Sequence, residues 1–200
     1  GDKIGRISPA GSVRRFKETV HDIDILVETD FGDAVIKLFT EFPKVTRILG
    51  AGSTKGSVLL DDRFQVDLRA IPTESYGAAQ QYFTGSQAHN VKLRELARKN
   101  GFKVNEWGIY KDENKVGGEH EEDIYKTLGL QWTSPELRED RGEVEAAQKN
   151  ELPDVITLDD IQADLHMHTN NSDGQHDLEE LVEFVRQRGY SYMAVTDHSR

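Results

Sequence analysis

Apolar and polar positions along the chain switch between two periods. Over "DIDILVE" the alternation is that of a strand, so Asp22 and Asp24 share one face while Ile23 and Ile25 share the other. Ile4 to Ser8 reads as a shorter strand that ends at Pro9. From Phe31 to Phe42 the apolar residues Val35, Ile36, Leu38 and Phe39 fall at helical spacing, and Pro43 closes the segment. "VTRILGAGSTKGSVLL" predicts two strands around a glycine-rich turn. "RFQVDLRAI" then alternates, with Phe64, Val66, Leu68 and Ala70 on one face and Gln65, Asp67 and Arg69 on the other. A turn at "YFTGS" leads into a helix capped by Ser86 and stopped by Asn100 and Gly101, with Val91, Leu93, Leu96 and Ala97 as its apolar stripe. Asn90 and Arg94 lie four apart and share a face of that helix.

The alternation places chemistry as well as structure. Two carboxylates side by side on a strand repel, and a divalent cation relieves that repulsion. Hard cations such as Mg²⁺ and Mn²⁺ take oxygen ligands, often one or two carboxylates with phosphate completing the shell. Asp67 is a third carboxylate on a neighbouring strand. The turn "GSVRR" that precedes the first pair offers backbone N–H groups, the Ser12 hydroxyl and a planar cation, Arg14 or Arg15, to a phosphate.

Past Tyr110 the pattern becomes loop-rich and acidic. "SPELREDRGEVEAAQKNELPDVITLDD" reads as a connector with a short helix over Glu143 to Lys149. Beyond it, "ADLHMHTNNSDG" is a strand that projects His166 and His168 from one face, which suits two imidazoles on one ion. Asp173 follows in a glycine-containing turn. A helix with Leu178, Leu181, Val182 and Val185 ends at Gly189, and the strand "YMAVT" delivers Asp197 and His198. This strand, helix, strand order puts polar residues at the carboxyl ends of a parallel sheet. His21, His89, His120 and His176 are read as structural or exposed.

Composition alters the picture in two places. The 200 residues contain no cysteine and no run approaching a membrane span, so a reducing, cytoplasmic setting is expected. The net charge of -11 is unevenly spread: residues 1–110 carry 16 Lys+Arg against 14 Asp+Glu, and residues 111–200 carry 9 against 22. The first part is thus compatible with a polyanion, held by local placement and metal rather than by a bulk field.

"GSVRR", "DIDIL", "VDLR" and "YFTGSQAHNVKLR" resemble the palm and nucleotide-binding subdomain of family X DNA polymerases of the polymerase β type, and "DLHMHTNNSDG" with "VTDHS" resembles the opening of a PHP (polymerase and histidinol phosphatase) domain. The order is similar to bacterial and archaeal family X polymerases with a C-terminal PHP domain. The resemblance implies an α+β fold: a nucleotidyltransferase-type palm with a mixed sheet, a small nucleotide-binding subdomain, and the start of a (β/α)7-type barrel. It divides the chain into a palm (1–72), a nucleotide-binding or thumb subdomain (73–130), a connector (131–163) and the N-terminal part of a PHP domain (164–200).

By that resemblance, Asp22, Asp24 and Asp67 are catalytic and hold two Mg²⁺ or Mn²⁺ ions. Gly11, Ser12 and Arg15 bind phosphate, Tyr82, Phe83 and Gly85 lie beside the nucleotide sugar, and Asn90 and Arg94 monitor the nascent base pair. His166, His168, Asp173 and His198 are part of a PHP site for Mn²⁺, Zn²⁺ or Fe. The implied partners are gapped or primer-template DNA and a dNTP, and the implied reaction is repair gap filling. Two alternatives stand beside it, a PHP phosphoesterase or 3′-5′ exonuclease as the main activity, and a non-catalytic palm that binds nucleotide or DNA. His21 stands where the family commonly has glycine, a bulkier side chain where backbone approaches phosphate. The chain starts at the first palm strand and stops within the PHP motifs, so the isolated 200 residues are expected to be inactive.

Overall fold

The computed structural model describes residues 4–199 and divides into two units, residues 1–153 and 154–200. The first unit is built on a five-stranded mixed sheet. Its strands are β1 (Ile7–Pro9), β2 (Asp22–Glu28), β3 (Val45–Ala51), β4 (Lys55–Leu60) and β5 (Phe64–Ile71), in the order β1-β2-β5-β4-β3. Only the β2–β5 pair is parallel. Pro9, which cannot donate a ladder hydrogen bond, sits on the edge strand β1.

Alternation along β2 and β5 fills opposite sides of the sheet. Ile25, Val27 and Leu68 pack with Val35, Ile36 and Phe39 of helix α2 (Gly32–Thr40). Leu38, part of the predicted stripe of α2, is exposed instead. On the other side Leu26 and Ile71 meet Ala10, Tyr76 and Ala79. Between them, the short helix α1 (Gly11–Arg14) starts at the end of β1.

Helix α3 (Tyr76–Thr84) joins this layer to a second core. Tyr76 and Ala79 belong to the first, and Ala78 to the second. A Cβ at Gly77 would fall 2.0 Å from the His120 carbonyl carbon, so only glycine lets the Gly77 and Ala78 N–H groups reach the Glu119 and Gly118 carbonyls. The second core is made by α4 (Gln87–Lys99), the hairpin strands β6 (Phe102–Asn105), β7 (Gly108–Lys111) and β8 (Asn114–Gly117), α5 (Glu122–Thr127) and α6 (Glu143–Lys149). Leu93, Ala97, Ile109, Ile124 and Ala147 are fully buried in it. Ser86 caps α4 by accepting the His89 N–H, and Asn100 and Gly101 end the helix as the sequence predicts. The stripe is rotated from the predicted one: His89 and Asn90 turn inward with Leu93 and Ala97, while Val91 is exposed. The predicted helix over Glu143 to Lys149 forms, and residues 131–153 join the second core through Ala147 and Leu152.

A buried ion cluster ties these pieces together. Glu121 accepts both guanidinium nitrogens of Arg14 (2.7 and 2.8 Å) and one from Arg138 (2.6 Å). Arg138 is fully buried and also donates twice to the Thr133 carbonyl. Burial alone would raise the Glu121 pKa, but the two arginines hold it down at about 2.

The second unit pairs β9 (Ala163–Met167) in parallel with β10 (Tyr192–Val195), with α7 (Leu178–Gln187) between them in sequence. A reciprocal Asp177–Glu180 capping box starts α7.

Replacing one member of a buried ion cluster strands the others without a partner. Glu121→Gln should therefore destabilise the first unit by about 3 to 5 kcal/mol in denaturant unfolding. Because the folded pKa of Glu121 is depressed, its contribution is present above the ordinary glutamate value and is lost as pH falls toward about 2. Wild type should lose stability over that window more steeply than Glu121→Gln, measured by urea midpoints across the acid range.

Candidate active-site cleft and candidate metal centre

The parallel register of β2 and β5 sets Asp24 opposite Asp67, and Asp22 lies two residues before Asp24 on the same face. Desolvation raises the Asp24 pKa, and the charges of Asp22 and Asp67 raise it further. Such excess negative charge on oxygen donors fits a hard divalent cation. At Asp67 burial also favours the neutral form, but donors outweigh it. Ser57 Oγ donates to Oδ1, Gln65 Nε2 donates to the same oxygen at 3.1 Å, and Lys55 Nζ stands 3.0 Å from Oδ2.

The turn that follows β1 packs directly on this pair. Gly11 has φ +55°, and a Cβ there would fall 2.2 Å from Asp24 Oδ2, so a side chain cannot replace its hydrogen. Arg14 is consumed by Glu121 and the Thr84 hydroxyl, which leaves Arg15 as the guanidinium beside the cleft. Arg15 donates to the Thr84 carbonyl and, from Nε, to Glu139 at 2.8 Å; Lys17 lies 3.6 Å from the same carboxylate. Of the two arginines that the sequence leaves open as phosphate donors, only Arg15 borders the cleft.

An open cleft of about 890 Å³ gathers the remaining candidates. Gly11, Ser12, Arg15, Tyr82, Phe83, Gly85, Asn90 and Arg94 all line it, together with Asp22, Asp24 and His21. Asp67 does not border the cleft itself but stands behind Asp24 on the adjacent strand. The turn narrows to Gly85–Ser86, since residues up to Thr84 continue α3. Asn90 donates from Nδ2 to the Tyr82 carbonyl at 2.7 Å, and Arg94 Nε donates to the Asn90 carbonyl at 3.1 Å.

Lys17, Thr19, Lys55, Ser57 and Arg69 are additional polar groups here that the motifs do not single out. Arg69 lies on the carboxylate face of β5, where its charge opposes the rise of the Asp24 pKa, and its guanidinium stacks 4.0 Å from the Phe83 ring centre. Its signal in the sequence was the alternation that already put Gln65, Asp67 and Arg69 on one face. Lys55 had none beyond its place in a glycine-rich turn.

The second unit holds a separate cluster. His168, Asp173 and His198 bring ligand atoms within 4.8 Å of one another. The shielded Nδ1 of His168 makes no hydrogen bond although Asp173 Oδ1 is 3.3 Å away, and His198 Nε2 is 3.5 Å from Asp173 Oδ2. Two imidazoles, one with an orphaned nitrogen, and a carboxylate suit a borderline transition metal. His166 joins through its Nε2, 3.0 Å from His168 Nε2. Asp197 faces elsewhere: it accepts the Thr169 N–H, the Thr169 hydroxyl and the Ser172 hydroxyl, and so clamps the loop that carries Asp173.

Among the described residues no helix is long and apolar enough to cross a membrane. Residues 79–139 match the DNA polymerase beta thumb family and residues 164–200 the PHP domain family. The DNA polymerase/3′-5′ exonuclease PolX of Bacillus subtilis is 37% identical over 204 aligned residues, covering 98% of this chain and 35% of the relative. The Repair DNA polymerase X of African swine fever virus is 25% identical over 145 residues, 66% of this chain and 80% of the viral protein. Leishmania infantum polymerase beta in a ternary P/T complex superposes with a TM-score of 0.58 at 24% identity, over 66% of this chain and 67% of that one, which is a likeness of fold. The chain thus spans about a third of the length of its Bacillus relative. Polymerases and PHP proteins of these families generally use divalent metals, in keeping with the two carboxylate and imidazole clusters. With a polymerase β thumb match, a PHP match and the PolX identity running in one order through it, the chain is similar to bacterial family X DNA polymerases that carry a PHP domain.

Proposed function

We propose that this chain supplies the catalytic palm (1–72) and thumb (73–130) of a repair DNA polymerase, followed by a connector (131–163) and PHP residues (164–200). The reaction is addition of a dNTP to a primer 3′ end on gapped or primer-template DNA. One observation carries the reading: the β2–β5 register sets Asp24 against Asp67 while Asp22 and Asp24 line the same cleft as the Gly11–Arg15 turn, Asn90 and Arg94.

Asp22, Asp24 and Asp67 would hold Mg²⁺ or Mn²⁺, which when bound supplies an activated primer hydroxyl and charge neutralisation on the triphosphate. The chain's own groups do the positioning. Gly11 brings backbone against Asp24, and Ser12 and Arg15 offer a hydroxyl and a guanidinium to the phosphates. Lys55, Ser57 and Gln65 keep Asp67 ionised and pointed. Tyr82, Phe83 and Gly85 border the sugar, and Asn90 and Arg94 face the base pair from a rigid helix. Holding reactants near attack geometry accounts for much of the rate in such a transfer. His21 borders the cleft beside Asp22, where it limits the room for the triphosphate. A cytoplasmic setting fits this role.

A second activity is favoured by the His168–Asp173–His198 cluster and the name of the Bacillus relative. The PHP residues contribute to a 3′-5′ exonuclease that uses Mn²⁺, Zn²⁺ or Fe.

In primer extension across a one-nucleotide gap by the full-length enzyme that carries this chain, Asp67→Asn should lower incorporation by at least about 10²-fold, the order of loss when a preorganised electrostatic group is removed. Chelation should abolish incorporation and Mg²⁺ or Mn²⁺ restore it. Arg94→Ala should lower incorporation and fidelity while metal binding at the aspartates stays nearly intact; a non-catalytic, binding-only palm would show no incorporation for these changes to reduce.

His168→Ala and Asp173→Asn should weaken Mn²⁺ or Zn²⁺ binding by the second unit and remove 3′-end degradation while leaving gap filling in place. Isothermal titration with the metal and parallel exonuclease and extension assays check this. Equal loss of both activities would show that one metal centre serves both.

A further inference from the structure

The second core buries a continuous chain of polar side chains that the transfer reaction leaves unused. Glu143 accepts the Asp140 and Arg141 backbone N–H groups at 3.0 and 2.7 Å, and His89 Nδ1 lies 2.7 Å from the same carboxylate. His89 is fully buried, with Nε2 3.1 Å from the Tyr125 hydroxyl. Nδ1 faces an ionised carboxylate and donates to it, while Nε2 meets the Tyr125 hydroxyl. Burial raises the Tyr125 pKa, and the nearby Gln81 amide works against that rise. Gln81, itself buried, also donates from Nε2 to Asn90 Oδ1 at 2.7 Å. Asn90 Nδ2 donates to the Tyr82 carbonyl at 2.7 Å.

The bonds end at a residue that borders the cleft. Asn90 Oδ1 accepts from Gln81 and one Nδ2 hydrogen goes to the Tyr82 carbonyl, so the second Nδ2 hydrogen is the donor the amide still offers a ligand. We infer that the buried Gln81 is a positioning residue that fixes the Asn90 amide so that it offers a donor to the base of the incoming nucleotide. The inference rests on the polymerase reading of the cleft and adds to it the group that sets the amide's direction.

The chemistry of the nascent pair explains the need. On the minor-groove edge purines present N3 and pyrimidines O2, all of them acceptors. A donor at Asn90 therefore serves every correct pair. A flipped amide would set carbonyl against acceptor. The two faces of an amide have nearly the same shape, so packing alone does not choose between them. A fixed neighbour donating to the side-chain oxygen does, and that neighbour is Gln81, acting with the Tyr82 carbonyl that accepts from Nδ2.

The test is insertion opposite template T by the enzyme, with dATP and with 3-deaza-dATP, whose ring lacks the N3 acceptor. Wild type should favour dATP in kcat/KM by about fivefold, the worth of one hydrogen bond. Asn90→Ala should bring the ratio near one, and Gln81→Met should do the same, with its loss falling on dATP. A Gln81 that only packs the core would slow both nucleotides alike and leave the wild-type ratio, which overturns the inference while the Asn90→Ala result still upholds the cleft. A wild-type ratio near one overturns the placement of Asn90 at the base edge and the inference with it. Should Gln81→Met fail to fold by circular dichroism, Gln81→Leu, which also removes the donor to Asn90, is read in its place: a ratio below half the wild-type value supports the inference, and a ratio at or above half refutes it.

Discussion

Asp24 and Asp67 stand opposite each other on adjacent parallel strands, and the mutual repulsion of their carboxylates is the constraint around which the first unit is arranged. The sheet cannot relieve it by slipping one residue, because that would turn Ile25, Val27 and Leu68 away from α2 and out of the core. Relief is local instead. Ser57, Gln65 and Lys55 take up the charge of Asp67, while Asp24 is left with a raised pKa under the backbone of Gly11. The asymmetry leaves Asp24, with Asp22, as the carboxylates that most need an external cation.

A second constraint holds the Gly11–Arg15 turn in place. Arg14 cannot serve the cleft because its guanidinium is bound at both ends by Glu121, which Arg138 also claims from the opposite side. One arginine of the "RR" pair is thereby spent as an anchor so that the other can be presented. The anchor spans residues 14, 121 and 138, far apart in sequence, and it fixes α1 against the second core that carries Asn90 and Arg94. The relation between the Gly11–Arg15 turn and the pair Asn90 and Arg94 is set by this buried cluster, whose disruption would leave charges without partners in a dry interior.

Much of this was legible in the sequence wherever a local pattern reported it. The alternation over "DIDILVE" and "RFQVDLRAI" yields the strands and the shared face of the three aspartates, and the cap at Ser86 with the stop at Asn100 and Gly101 bounds α4. What escaped was decided by partners distant in the chain. His89 and Asn90 break the apolar periodicity of α4, so the stripe was expected at Val91, Leu93, Leu96 and Ala97, whereas the interior accepts the polar pair because Glu143, Tyr125 and Gln81 satisfy it. Helix α3 was hidden because "YGAAQQYFT" is weakly amphipathic and buried on two sides, and it runs into a turn whose glycine dominated the reading. The acidic stretch after residue 131 reads as a solvated connector, yet its Arg138 and Glu143 are buried.

The acidic excess of the later residues takes on a different meaning once these partners are known. Glu121 is paired with Arg14 and Arg138, and Glu139 with Arg15 and Lys17. These carboxylates do not add to a diffuse field that would repel a polyanion, because each is compensated at hydrogen-bond range or close to it. The net charge of -11 is therefore a poor guide to what the cleft can hold. What matters there is a few oriented donors, of which Arg15 is held by Glu139, Arg94 by the Asn90 backbone carbonyl and the Asn90 amide by Gln81.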